Sequence, residues 1–143
     1  FWKRGLDFAH GTGHGVGYLS NVHERPNGLR WKVVPERQDS AVIEPGMICS
    51  DEPGLYFAGD FGTRTENLIL CVEDEKNEYG QFLKFEFLTK APIDLEALDI
   101  RFMDDADIER LNTYHKDVYE TISPYMNDEE KEWLKHVTRE ISR

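Results

Sequence analysis

Polar and apolar residues alternate from Phe82 to Leu88, with Leu83, Phe85 and Phe87 set against Phe82, Lys84 and Glu86. That period of two predicts a half-buried β-strand. Leu55–Phe57, the turn residues 58–62 and the stretch Thr63–Glu73 read as strand, turn, strand, and Met47-Ile48-Cys49 as the start of another strand. Between them, Asn21–Ser40 is polar with a turn signal at Pro26-Asn27-Gly28, and Asp74–Gly80 reads as a charged loop. Residues 1–9 read as the tail of a helix ending near Gly5, followed by entry into a strand. After Asp104 the period changes. Ile108, Leu111, Val118 and Ile122 fall on one helical face, Asp104 can cap that helix, and Pro124 stands near its end. Asn127 and Glu130 have capping-box spacing for a second helix carrying Trp133, Leu134, Val137 and Ile141. Strands followed by helices predict an α+β chain.

His10–Gly17, HGTGHGVG, breaks both patterns. Each glycine inside a helix costs about 1 kcal/mol relative to alanine, so three of them exclude one here. A GxGxxG fingerprint from Gly11 would need glycine where Val16 stands, and no GK[ST] follows for a phosphate loop. What remains is an extended segment that something approaches closely, with room for substrate backbone and a metal beside it.

Composition narrows the partners. The 143 residues carry 28 acids against 17 bases, a net charge of −11, which argues against a nucleic-acid partner and favours cations. Two cysteines, Cys49 and Cys71, make no disulfide framework and suit a reducing compartment, here the cytoplasm. No apolar run approaches the roughly 20 residues of a membrane helix, so no membrane partner is expected. A chain that begins on Phe1 and enters its densest motif within ten residues reads as a piece of a longer protein.

Candidate chemistry lies around the predicted turn. Glu52 and Glu66 are symmetric about Gly59, so a hairpin folded there sets them directly opposite each other. Opposed side chains have Cβ atoms roughly 4.5–5.5 Å apart, and two like charges there repel unless a cation lies between them. Pro53 cannot donate to the ladder and marks where the register can break. On an extended strand His10 and His14 are about 13 Å apart at ~3.3 Å per residue. One imidazole with two carboxylates is therefore the natural set, suited to Mn²⁺, Co²⁺, Fe²⁺ or Zn²⁺.

These residues, in order, closely resemble the Xaa-Pro aminopeptidases (aminopeptidase P, metallopeptidase family M24), dinuclear enzymes of the pita-bread fold. The resemblance rests on HGTGHGVG with Asn21-Val22-His23-Glu24, then Glu44-Pro-Gly-Met, Asp51-Glu52-Pro-Gly-Leu-Tyr56 and Gly62-Thr-Arg64-Thr-Glu66-Asn67. It runs on through Phe85–Thr89, Pro92-Ile93, Leu111-Asn112, Tyr114-His115 and Glu132-Trp133-Leu134. It implies the second half of a pita-bread catalytic domain over residues 1–92, a curved antiparallel sheet with helices, and a helical C-terminal extension over 93–143.

It implies, further, that His14, Glu52 and Glu66 are three of five ligands to two divalent metals, usually manganese, with zinc or cobalt as alternatives. Glu66 would bridge both ions; Glu52 would bind one and handle the proton. His10 and His23 match histidines that contact substrate and hold the scissile carbonyl, and Arg64 matches an arginine that organises the site and the substrate end. The family's other two ligands are aspartates that precede this segment, and Asp51, Asp60 and Asp74 match neither. The metal site within these residues is thus expected to be incomplete and the segment inactive alone. The implied substrate is a peptide with proline second, and the full-length protein is expected to be a homodimer. A dipeptidase of the same fold (prolidase) and a non-catalytic pita-bread binding module are the rival readings.

Overall fold

The computed structural model describes residues 1–19 and 21–143 and divides them into two compact units, 1–89 and 90–143. The sequence places a boundary a few residues later, at 92/93.

The first unit is built on a five-stranded antiparallel sheet. Its strands are β1 (Gly13–Gly15), β2 (Glu24–Leu29), β3 (Ile48–Asp51), β6 (Asn67–Asn77) and β7 (Gly80–Phe87), in the order β2-β1-β3-β6-β7. Two short strands, β4 (Gly54–Tyr56) and β5 (Gly62–Arg64), pair with each other. One register runs through both ladders. Asp51 faces Asn67 and Gly54 faces Arg64, which are the pairings of a hairpin centred on Gly59, where φ is +76°. Pairing lapses at residues 52–53 and 65–66, where Pro53 has no N–H to give.

Several expectations need correction. The charged stretch Asp74–Gly80 is mostly strand: β6 continues to Asn77, which pairs with Gly80. The charges mislead because β6 is exposed from Glu73 onward, and an exposed ribbon needs no apolar residues. The Pro26-Asn27-Gly28 signal lies inside β2, where the register steps from His14↔Gly28 to Gly15↔Glu24. These turn residues form an irregularity in an edge strand, a place where proline is tolerated. The alternation of β7 does not half-bury it: every residue from Gly80 to Phe87 is exposed, because pairing with β6 covers one edge of the strand and neither of its faces. The N-terminal helix tail is a single 3-10 turn, Trp2–Arg4, closed by Gly5 at φ +70°.

The second unit holds α1 (Asp105–Ile122) and α2 (Asp128–Val137). Both start on a reciprocal capping box. Asp104 accepts from the Asp107 N–H at 2.8 Å and Asn127 from the Glu130 N–H at 3.0 Å, with the partner side chains reaching back. Tyr114, Val118 and Leu134 form the core, with Ile93, Ile122, Met126 and Val137 packed around them. Ile141 is not on α2, which stops at Val137. The segment after it is tied to α1 instead: Asn112 donates to the Ile141 carbonyl and accepts its N–H, both at 3.0 Å. His115 is wholly buried, and burial pulls it below the usual imidazole range, so its Nε2 serves as the acceptor for the Ile93 N–H at 3.0 Å.

Candidate active site

Two glycines explain how β1 lies where it does. A Cβ on Gly13 would come within 1.8 Å of the Ser50 carbonyl oxygen, and one on Gly15 within 2.4 Å of the Glu24 carbonyl. The bare positions thus admit the protein's own neighbouring strands. Such close approach puts the His14 side chain next to β3 and the residue that follows it, Glu52. The Glu52 N–H in turn donates to the Thr12 carbonyl at 2.7 Å, a second tie between the segments.

His14 Nε2 lies 2.9 Å from Glu52 Oε1. Its other ring nitrogen, Nδ1, is 3.0 Å from the Gly15 carbonyl oxygen, which can only accept, so Nδ1 carries a proton. In the neutral ring Nε2 then presents a lone pair to a carboxylate oxygen. Two lone pairs at that separation require a cation between them, a proton or a metal. Glu52 is 8% exposed, so its charge is drawn largely out of water and needs such partners. It has them: Ser50 Oγ donates to Oε1 at 2.9 Å, and Arg64 Nη1 donates to Oε2 at 3.0 Å.

Arg64 extends the network. Its Nε and Nη2 donate to the Tyr56 hydroxyl at 3.0 and 2.8 Å. The same hydroxyl is 2.7 Å from His10 Nε2, and His10 Nδ1 is fixed as a donor by the Gly11 carbonyl at 2.8 Å. In the neutral imidazole Nε2 is therefore an acceptor and Tyr56 gives it its proton, which uses the phenol's donor and both its lone pairs. Hydrogen bonding to Tyr56, with the Glu52 and Glu66 charges, raises Arg64 above its ordinary value. His23 lies against His14 with ring centroids 4.3 Å apart and planes tilted by 45°, and both line a cleft of about 220 Å³ with Arg37 and Asp39. Burial pushes the Asp39 carboxyl up, but hydrogen bonds and charge from Arg30 and Arg37 outweigh it and hold the group below its usual range. His10 opens instead onto an aromatic hollow of about 330 Å³ with Phe1, Phe8 and Trp31.

Of the residues singled out in the sequence, the structure gathers His10, His14, His23, Glu52 and Arg64. Glu66 is set opposite Glu52 by the flanking register, yet it is exposed, and its charge falls on Arg64. Among the described residues no three His, Cys, Asp or Glu side chains come together as a metal-binding group. Asp51 is half-buried, which raises its carboxyl; Asp60 and Asp74 are exposed, and Asp74 pairs with Lys84 at 3.1 Å. Sequence reasoning missed Ser50 and the bridging role of Tyr56. The period of two would have found Ser50, which shares a strand face with Glu52.

Comparison with known proteins bears on the whole chain. The model of metallopeptidase family M24 matches residues 1–73, and that of the C-terminal region of peptidase M24 matches 81–141. Aminopeptidase P1 of Arabidopsis thaliana is 39% identical over 99% of this chain, and a probable Xaa-Pro aminopeptidase P of Ajellomyces capsulatus 40% identical over 98%. The crystal structure of an X-prolyl aminopeptidase from Caenorhabditis elegans, a cytosolic enzyme with a di-nuclear active site, superposes with a TM-score of 0.81 at 33% identity over 98% of the chain. The chain spans 22% of the length of the Arabidopsis protein and of that crystal structure, and 23% of the Ajellomyces protein. With its α+β pita-bread architecture, the chain belongs to metallopeptidase family M24.

Proposed function

We propose that these residues supply one part of the active site of a metal-dependent aminopeptidase that removes the N-terminal residue from peptides with proline in second position. The observation that carries this reading is the His14–Glu52 pair: an imidazole locked into the Nδ1–H form, with Nε2 aimed at a buried carboxylate 2.9 Å away. The nitrogen–oxygen donor set fits a divalent ion such as Mn²⁺. His14, Glu52 and Glu66 would hold the metal together with aspartates from outside this segment. When bound, a pair of such ions supplies Lewis acidity at the scissile carbonyl and a lowered pKa for the attacking water.

The remaining steps belong to the chain. Glu52 accepts the proton of the attacking water at its carboxylate and delivers it to the departing prolyl nitrogen. Arg64, anchored on Tyr56, holds the Glu52 carboxylate by Oε2. His23, which lies against His14 in the lining of the cleft, donates to the carbonyl oxygen as negative charge develops on it. His10, oriented by Gly11 and Tyr56, meets the substrate from the aromatic hollow. A bond before proline lacks an N–H, so recognition falls to ring shape and to the carbonyl.

The relatives' names support the substrate class, and the share of their length matched supports a longer functional protein. The description of the Caenorhabditis elegans enzyme as cytosolic supports a cytosolic setting, and a homodimer belongs to the same proposal. No helix among the described residues is long and apolar enough to cross a membrane. The test is to assay the full-length protein on Xaa-Pro-Xaa peptides with and without Mn²⁺. Release of the first residue only with metal is expected; no release in either condition would overturn the proposal, and cleavage confined to Xaa-Pro dipeptides would reassign it to a dipeptidase. In the same assay Tyr56→Phe, which loses all three hydrogen bonds of the hydroxyl, should lower kcat/KM by about tenfold or more, since one such bond alone contributes roughly 1 kcal/mol. Thermal unfolding of the variant should change little, because the ring stays and half of it is already exposed.

A further inference from the structure

We propose that Ser50 is a positioning residue for Glu52, holding its carboxylate in the one rotation that presents Oε1 to His14; the inference rests on the metallopeptidase reading above. Ser50 is wholly buried in β3, and its side chain lies between the two functional groups. Its Oγ accepts the His14 backbone N–H at 3.0 Å. A backbone N–H can only donate, so the hydroxyl proton is free for another acceptor, and Glu52 Oε1 receives it at 2.9 Å. That same Oε1 faces His14 Nε2.

The direction of each bond therefore follows from which groups are able to donate. One lone pair of Oε1 is committed to Ser50 and the other is left for the position shared with His14, while Oε2 is taken by Arg64. Ser50 also bonds the backbone of the residue that supplies the imidazole, so a single hydroxyl registers β1 against β3 at the site. Without it no hydroxyl holds Oε1, and the carboxylate is left with Arg64 at Oε2, a partner whose side chain is 41% exposed, and with the position it shares with His14, so its terminal torsion is less constrained.

The experiment uses the full-length protein with Ser50→Ala and Ser50→Thr. Three quantities are measured: Mn²⁺ affinity by calorimetry, kcat and KM on an Xaa-Pro-Xaa peptide, and the unfolding midpoint. Ser50→Ala is expected to weaken Mn²⁺ affinity and lower kcat by about 10- to 100-fold each, with KM within about threefold, as for partners that orient metal ligands. Ser50→Thr, which keeps the hydroxyl, is expected to restore both. A purely structural Ser50 would shift the unfolding midpoint of the alanine variant and leave affinity and kcat in place; that result overturns the proposal. If threonine's extra methyl unfolds the protein, the alanine variant, which only removes an atom, decides alone. A wild type that binds Mn²⁺ but cleaves no Xaa-Pro peptide ends the functional reading while affinity still judges Ser50. A wild type that binds no Mn²⁺ overturns both.

Discussion

Glu52→Gln in the full-length protein is expected to reduce kcat on an Xaa-Pro-Xaa peptide about 1,000-fold, within the range set by losing a positioned proton-transfer group. The substitution is close to isosteric. The amide oxygen can still accept from Ser50 or from Arg64, so the buried site is not left empty and the protein should fold. What disappears is the charge. Glutamine cannot take a proton from water, and its amide cannot reconcile the His14 Nε2 lone pair by sharing a cation with it. Metal content measured on the purified variant should fall along with kcat, whereas KM should move by only a few-fold because neither hollow is lined by Glu52. A Glu52→Gln enzyme retaining a tenth or more of wild-type kcat would remove this residue from the proton pathway.

Why the hairpin could be read from sequence, and Glu66's exposure could not, is a matter of range. The register about Gly59 follows from strand alternation and from a turn glycine at positive φ, both properties of neighbouring residues. The helix starts are likewise local: Asp104 caps α1 as its position predicts, and the capping box of Asn127 and Glu130 forms where its three-residue spacing put it. Whether two opposed carboxylates converge depends on a third side chain. Arg64 binds Glu52 and feels Glu66 as well, so the repulsion expected between the two acids is relieved by a guanidinium already present in the hairpin.

The misread stretches have a common cause. Asp74–Asn77 and Pro26–Gly28 carry the composition of loops but lie in a strand that is open to water or at the edge of the sheet, where composition is a weak guide to pairing. Phe82–Leu88 errs the other way. Its alternation is real, but period alone states only that a strand has two faces; it does not state that something covers one of them.

Gly13→Ala should have the largest effect on stability, because it adds one methyl group where there is no space and nothing soft to move. The added Cβ would meet the Ser50 carbonyl oxygen at 1.8 Å and its carbon at 2.8 Å, both backbone atoms of a central strand. Relief requires β1 to withdraw from β3, which breaks the His14 N–H bond to Ser50 Oγ and the Glu52 N–H bond to the Thr12 carbonyl together. Overpacking of this kind costs on the order of 3 kcal/mol, and the parting strands carry His14 away from Glu52. The expected result is a clear drop in the denaturant midpoint together with loss of Xaa-Pro cleavage in whatever fraction stays folded. Gly5→Ala is the matched control. Gly5 has φ +70° but nothing within 4 Å of its added Cβ, so it should cost only the roughly 1–2 kcal/mol of a left-handed alanine and leave turnover alone. If the two variants lost the same stability and both kept full activity, the close approach of β1 to Ser50 could not be what brings the imidazole and the carboxylate together.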